Sequence, residues 1–414
     1  MLAFPTTLLF LSCGSSSNPS GPSNSGLKFR ALVSQDVNAT RTLAGLEIID
    51  AQTDLKPLLN PISAGATPGP MVETPNRIAT LAYSPTGNTI AIVSNSSEST
   101  SATITLPGPT DSFIVSPDSQ SGYAAVPTAF VSGQDPGAIE VFSLNTGKIT
   151  AEIAVPAVRY LSIGNTGNRI LAFSGNFNSL VVITPSNIGT GQPVTSPPIA
   201  GFDRPIAAFF SSDDNTAYVI NCGPKCSGTQ ASVQTLDLNT NTPGVPVPVP
   251  AAEEAFVNGT TMYIAGSPVP GSPCTGQTTQ AASCGVLTIF DLTAMTITNP
   301  SPIIITDGYH DHIAMGSQGQ LFIGAHDCTE INPNPVPPGA EVRGCLSIYN
   351  TNTGTIVIPP AAGDVTGIQP ISNRNVVYLV QGGELQIYDT TTDALQATQI
   401  NIIGQAVDVK LIDF

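Results

Sequence analysis

Tryptophan is absent from the 414 residues, and charge is scarce: 10% of the side chains are Asp, Glu, Lys or Arg, and three residues are histidine. Lys and Arg number 13 against 29 Asp and Glu, a net charge of −16. So acidic a chain is repelled by phosphate polyanions, which argues against nucleic acid or an anionic membrane surface as its partner. Acidity of this kind by itself also keeps an exported protein soluble. No apolar run is long enough to cross a bilayer as a helix. The Gly-rich phosphate loop, the Gly-x-Ser-x-Gly elbow and the His-Glu-x-x-His helix are missing, which discounts the chemistries built on them. Long helical periodicity is missing too. In its place stand 38 Gly and 37 Pro, the composition of an all-β chain of short strands and tight turns. The length exceeds that of an ordinary single domain, but a repeat fold of this size forms one unit.

The ends have their own character. Residues 1–12 are apolar and include Leu8-Leu9-Phe10-Leu11, followed by Ser12-Cys13-Gly14. This resembles the lipobox of bacterial lipoproteins, although no Lys or Arg precedes the apolar run and Leu11 stands where a small residue is usual. The resemblance implies lipidation at Cys13 and an exported, membrane-anchored protein, periplasmic or on the cell surface. An ordinary secretory signal would instead give a secreted soluble protein. Residues 14–26 are almost entirely Gly, Ser, Asn and Pro, a composition that cannot bury a core and reads as a flexible tether. The organisation is therefore signal over 1–13, tether over 14–27, and folded domain over 28–414.

Within that domain the clearest unit is 366–402, which reads as four strands at 367–372, 376–380, 385–389 and 397–402, separated by polar or Gly-containing turns. One such antiparallel sheet cannot bury both faces. Copies must stack, and stacking them in a ring gives a β-propeller. Going outward from the hub, the strands of a blade are termed A to D. Turns after strand A fall at Ser84, Ser116, Gly164, Ser211, Asn258, Gly316 and Ser372, spaced 32–58 residues apart. The first interval is the short one, as though residues 94–101 had lost a strand C. Alternation of Val407, Val409 and Leu411 with Asp408 and Lys410 predicts a final strand A without a strand B, and residues 29–34 read as a strand B without a strand A. Pairing the two closes the ring and removes its open edges. The expectation is one all-β propeller of four-stranded antiparallel blades, eight by this count, with seven as the alternative.

Strand B carries Ile92-Val93-Ser94-Asn95, Tyr218-Val219-Ile220-Asn221 or Val377-Tyr378-Leu379-Val380, and strand C ends on Ile49-Asp50, Leu236-Asp237, Phe290-Asp291, Tyr349-Asn350 or Tyr388-Asp389. Together these resemble the YVTN-type, lactonase-like β-propeller repeat family over essentially all of 28–414. The resemblance implies the fold, most often with seven blades, and is silent on activity, because the family's catalytic residues have no counterparts that can be assigned here. The missing tryptophans also argue against the quinone-cofactor propellers, whose blades tryptophans dock.

Six cysteines beyond Cys13 fall as local pairs, Cys222/Cys226, Cys274/Cys284 and Cys328/Cys345, each bracketing a connection between strands B and C. Pairing on loops points to three disulfides and an oxidising compartment, whereas a zinc site would want two closely spaced pairs. The three histidines gather in one unit, as His310-Asp311-His312 and His326-Asp327. Antiparallel pairing should place all three imidazoles on one rim, with His310 and His312 on one side of the strand. With Asp311, Asp327 and Glu330 nearby, a divalent metal site is conceivable, against the plainer reading that these histidines hydrogen-bond loop carbonyls; no other cofactor is expected.

Ionisable residues also mark the predicted starts of the strands A: Arg77, Asp111, Arg159, Asp203, Arg204, Glu253, Glu254, Asp311, Asp364 and Asp408. They would ring the channel mouth, on the face that also carries the loops at 126–137, 221–231, 266–285 and 325–344. That pattern suits a cationic ligand or simply a wet, polar mouth. The expected function is a binding scaffold working through disulfide-stapled loops, its partner a protein or small cationic ligand and its membrane contact made through a lipid anchor. The alternative is a lactonase-like hydrolase or lyase at the channel mouth, with His310 or His312 as general base.

Overall fold

A computed structural model describes residues 24–36, 44–268, 285–299, 301–328, 345–359, 361, 363–402 and 404–413. Among the described residues the strands form eight antiparallel sheets, and each sheet is one blade of a propeller. The innermost strands of blades 1 to 8 are Gln405–Leu411, Met71–Glu73, Ser112–Val115, Tyr160–Ile163, Pro205–Phe210, Glu254–Asn258, Tyr309–Met315 and Val365–Pro370. They pack side by side around the hub. Alternating residues of each strand meet the blades on either side. Leu32, Ile48, Met71, Ala82 and Ile412 fill the space between blades 1 and 2, while Val33, Val409, Leu411, Tyr378 and Ile387 fill that between blades 1 and 8. Burial on both faces is what makes eight short sheets one cooperative body.

Two sequence expectations shift. Blade 2 has lost nothing. A three-residue strand, Met71–Glu73, lies inside Ala79–Ser84, so the latter is strand B, with Thr89–Ser94 as C and Ser99–Thr105 as D. Three residues are too few to display alternation, which is why the frame slipped by one strand. In the unit at 366–402 the outermost strand is Ala394–Leu395, with Ile400 adding a single bridge to Leu385, rather than a strand over 397–402.

The propeller has two faces. One carries the A–B and C–D turns, here the turn face; the other carries the B–C loops and the links between blades, here the loop face. Turns at Ser116-Pro117-Asp118-Ser119 and Ser211-Ser212-Asp213-Asp214 close on residues with positive φ, Ser119 at 58° and Asp214 at 54°. Asp118 and Asp213 accept from the hydroxyls of Ser116 and Ser211 at 2.5 and 2.6 Å, which fixes these turns locally.

The ring closes through the last strand, as expected, though not with unbroken alternation. Gln405–Leu411 pairs antiparallel with Arg30–Asp36, Val33 opposite Val409 and Ala31 opposite Leu411. A bulge interrupts the register between Ser34 and Gln35, opposite Val407. It turns Val407 out of the core and leaves Ala406, Val409 and Leu411 there, so Val407 does not share their face as expected. Phe414 lies outside the described residues.

A second device, which the sequence reading missed, fastens this seam. Arg30 is fully buried. Its Nε and Nη2 donate to the two carboxylate oxygens of Asp413 at 2.7 and 2.8 Å, and its backbone N–H donates to Asp413 Oδ2 at 2.8 Å. Nη1 donates to the Asn95 carbonyl and to Glu98 Oε1 of blade 2, each at 2.7 Å. Glu98 accepts in turn from the Ser25 N–H at 2.6 Å, strapping the entering chain to the turn face. Removing one member of such a buried pair strands the other. Asp413→Ala should therefore cost about 3–5 kcal/mol of unfolding free energy in urea, and a loss below about 1 kcal/mol would show that the strand pairing alone holds the ring closed.

Candidate functional site

The mouth of the channel on the loop face is built from the first residues of the inner strands. Four of those strands, in blades 1, 5, 7 and 8, carry a bulge near this end. An extra residue there bends the strand and re-aims the side chains beside it. Asp111, Arg159, Asp203, Arg204, Glu253, Glu254, Asp311 and Asp364 all stand at this end of their blades. Arg77 does not. With Met71–Glu73 as the inner strand of blade 2, Arg77 falls in the A–B turn on the opposite face, where its Nη1 donates to the Asp413 carbonyl at 2.6 Å. Asp408 lies within its strand and is buried, accepting from the Met71 N–H at 2.7 Å and from Lys410 at 3.1 Å.

Most of these charges are tied locally. Asp111 and Arg159 pair at 2.7 Å, both about half exposed, and the guanidinium lies 5.6 Å from the centre of the Tyr160 ring. Asp203 accepts from the backbone N–H groups of Thr229 and Gln230 at 2.8 and 2.7 Å, which fastens the loop after Thr216–Asn221. Burial tends to raise the Asp203 pKa, but these hydrogen bonds outweigh it and hold the carboxyl below the usual range. Arg204 donates to the Asn176 carbonyl, and Asp364 accepts from the Asp327 N–H at 3.0 Å.

The histidines part company. The expectation that His310 and His312 face one way assumed an unbroken strand, but the register slips between them, with His310 opposite Ala325 and His312 opposite Gly324. His310 is fully buried between blades, its ring held by Glu253 at 3.1 Å and the Thr306 carbonyl at 3.0 Å; its backbone N–H also donates to Glu253 at 2.8 Å. It is a core histidine. The extra residue, Asp311, projects toward the mouth beside His312. Its two oxygens lie 2.7 Å from His312 Nδ1 and 3.2 Å from His326 Nδ1. The His326 ring packs on Tyr309 with centroids 5.1 Å apart.

One carboxylate thus serves two imidazoles. Burial acts to lower the His312 pKa, yet the hydrogen bond and charge of Asp311, helped by Asp408 and opposed by Lys410, raise it overall. Beside this pair, burial pushes the Glu254 carboxyl up to about 7. At the other end of the hub, burial likewise lifts Glu73 to about 7 despite the Arg77 guanidinium at 3.7 Å. Nothing in the local pattern marks Glu73, Tyr160 or Tyr309, although the two tyrosines adjoin Arg159 and His310. Among the described residues no group of three or more His, Cys, Asp or Glu is arranged to hold a metal ion, and Glu330 lies outside them.

Two of the three cysteine pairs are bonded. Cys222–Cys226 and Cys328–Cys345 each have Cα atoms 5.7 Å apart, within the range a disulfide spans, and close the B–C loops of blades 5 and 7. Cys274 and Cys284 lie outside the described residues, as does Cys13. The two bonds fit an oxidising, exported environment. Among the described residues no helix is long and apolar enough to cross a membrane.

No protein-family model matches the chain, and no curated protein matches it in sequence. Its shape is that of solved β-propellers. The dihydro-heme d1 dehydrogenase NirN in complex with DHE superposes with a TM-score of 0.65 at 11% identity, over 92% of this chain and 75% of that one. Hydrazine synthase of Kuenenia stuttgartiensis gives 0.56 at 12% identity, over 82% and 98%. A functionally unknown protein from Desulfotomaculum acetoxidans gives 0.52 at 17% identity, over 81% and 97%. At such identities the likeness concerns the fold alone.

Asp311 stabilises the imidazolium of His312, so Asp311→Asn should move the His312 titration midpoint downward in a proton NMR titration. An unchanged or higher midpoint would mean that Asp408, and not Asp311, sets its charge.

Proposed function

We propose that the protein is an exported propeller, lipid-anchored at Cys13 in the manner of the lipobox-bearing lipoproteins, that works as a binding scaffold. Its YVTN-type repeats supply a rigid disc, and its partner, a protein, engages the loop face. One observation carries this reading: both disulfides staple B–C loops on one face, while the entering chain is strapped through Ser25 and Glu98 to the other. Each cross-link joins the two ends of its loop where they leave the blade. Loop ends fixed on a rigid frame lose less entropy on binding. The tether leaves by the turn face, so the stapled loops are presented away from the anchor. Phe130 and Phe177, in the B–C loops of blades 3 and 4, add exposed aromatic surface of the kind that anchors interfaces. Photo-crosslinking amino acids at Phe130 and Phe177 should capture a partner in intact cells, and the same groups at Asn239 and Asn352 on the turn face should not. Equal capture from both faces would overturn the assignment.

A second reading rests on a different feature, the Asp311–His312 pair beside Glu254. Two groups whose protonation can exchange near neutral pH are what acid–base hydrolysis of a lactone needs, with one protonating the leaving oxygen while the other activates water. It requires that purified protein turn over a lactone panel and that His312→Ala lower the rate at least 100-fold. Activity unchanged by His312→Ala would remove this residue from any such mechanism.

A further inference from the structure

We propose that residues 55–61, on the outer rim of blade 1, form a membrane-contact surface that seats on the lipid bilayer beside the anchor. The inference rests on the reading of Cys13 as lipidated. The segment runs Leu55-Lys56-Pro57-Leu58-Leu59-Asn60-Pro61. Leu55, Leu58 and Leu59 are 60%, 104% and 39% exposed. One exposed leucine is ordinary, but three within five residues of a single loop form an apolar projection.

The loop is held up rather than frayed. At its start the Leu55 carbonyl accepts from the Asp50 N–H at 2.9 Å, and just past its end Ile62 exchanges both backbone hydrogen bonds with Leu46 at 2.8 and 2.9 Å. Lys56 reaches back to Glu47 at 3.0 Å. Between these fixed points the chain leaves the edge of Gly45–Asp50 and carries Leu58 outward between Pro57 and Pro61.

Charge and position name the occupant. The protein carries −16, yet from 55 to 72 its one ionisable side chain is Lys56. This is a stretch that an anionic lipid surface would not repel. It also lies beside the exit of the tether. The Asn24 amide donates to the Ser97 carbonyl, the Ser97 and Ser99 hydroxyls bond at 2.8 Å, and the Thr100 hydroxyl donates to the Ser63 carbonyl. The chain from Asn24 back to Cys13 can extend roughly 35–40 Å at most. A lipid at Cys13 therefore keeps the bilayer within reach of this rim. The acyl chains at a lipobox cysteine hold the protein at the bilayer, and the rim is thereby kept close to lipid. Tethering makes the rim's contact intramolecular, so a few leucines suffice where they would fail alone.

The absence of tryptophan gives a clean readout, because Leu58→Trp becomes the sole indole of the chain. The full-length lipoprotein would be reconstituted into phosphatidylcholine–phosphatidylglycerol vesicles, with and without brominated acyl chains. Leu58→Trp should emit blue-shifted and be quenched at least twofold by the brominated lipid, whereas Phe177→Trp on the loop face should emit as in water and stay unquenched. Water-like, unquenched emission from Leu58→Trp in protein that floats with the vesicles would overturn the contact and leave the anchor standing. A blue shift without quenching that grows with protein concentration would overturn it in favour of a second copy of the chain or another protein. Failure of Cys13 to take a fatty-acid probe, with no flotation, would remove the anchor, and the contact would fall with it.

Discussion

Everything in this molecule depends on one antiparallel pairing, that of Gln405–Leu411 with Arg30–Asp36. A row of stacked sheets left open exposes an apolar face at each end and unpaired strand edges. Joining the last strand to the first removes these liabilities, and residues from opposite ends of the chain, such as Ala31 and Leu411, must meet to do it. The seam is covered by a buried ion pair, Arg30 with Asp413, an arrangement that is costly to desolvate. Charge-assisted hydrogen bonds donated by the Arg30 backbone and guanidinium to Asp413, Glu98 and the Asn95 carbonyl satisfy that site. Because Glu98 and Asn95 of blade 2 join in, the same contacts that close the ring also fix where the N-terminal chain leaves it.

Bulges do for the channel mouth what the clasp does for the seam. At Asp311 the extra residue sends His310 into the core and leaves Asp311 and His312 together at the mouth. In blade 1 a bulge at Val407 sets the buried Asp408 against the Met71 N–H of blade 2. In each case one inserted residue converts regular alternation into a particular placement of carboxylates. The energetic consequence is visible at the mouth. Asp111, Asp203 and Asp364 are committed to local partners, and Glu253 to His310. What remains is a compact cluster of ionisable side chains, Asp311 shared by His312 and His326, with Glu254 beside it.

The stapled loops and the apolar rim serve opposite ends of one geometry. B–C connections lie on the loop face, two of them cross-linked at their ends, while Ser25 of the entering chain is hydrogen-bonded to Glu98 on the turn face. Both placements follow from the direction in which the strands of a blade run.

The sequence determined what depends on local pattern. Turn residues such as Ser116-Pro117-Asp118-Ser119, period-two alternation and the recurrence of the unit along the chain led to eight blades. Alternation at the end of the chain led to the closing pair, and cysteine spacing to the two described disulfides. All of these are written over a few consecutive residues, where backbone sterics and the two-residue period act. The tertiary structure alone decided the rest. Met71–Glu73 is too short to announce itself, so Arg77 was placed on the wrong face. A bulge breaks the alternation from which the facing of His310, His312 and Val407 was read, and only pairing with the neighbouring strand reveals it. Arg30 and Asp413 lie at opposite ends of the chain, and nothing local marks them as partners. Their charge is worth burying only because ring closure carries both into the same dry seam.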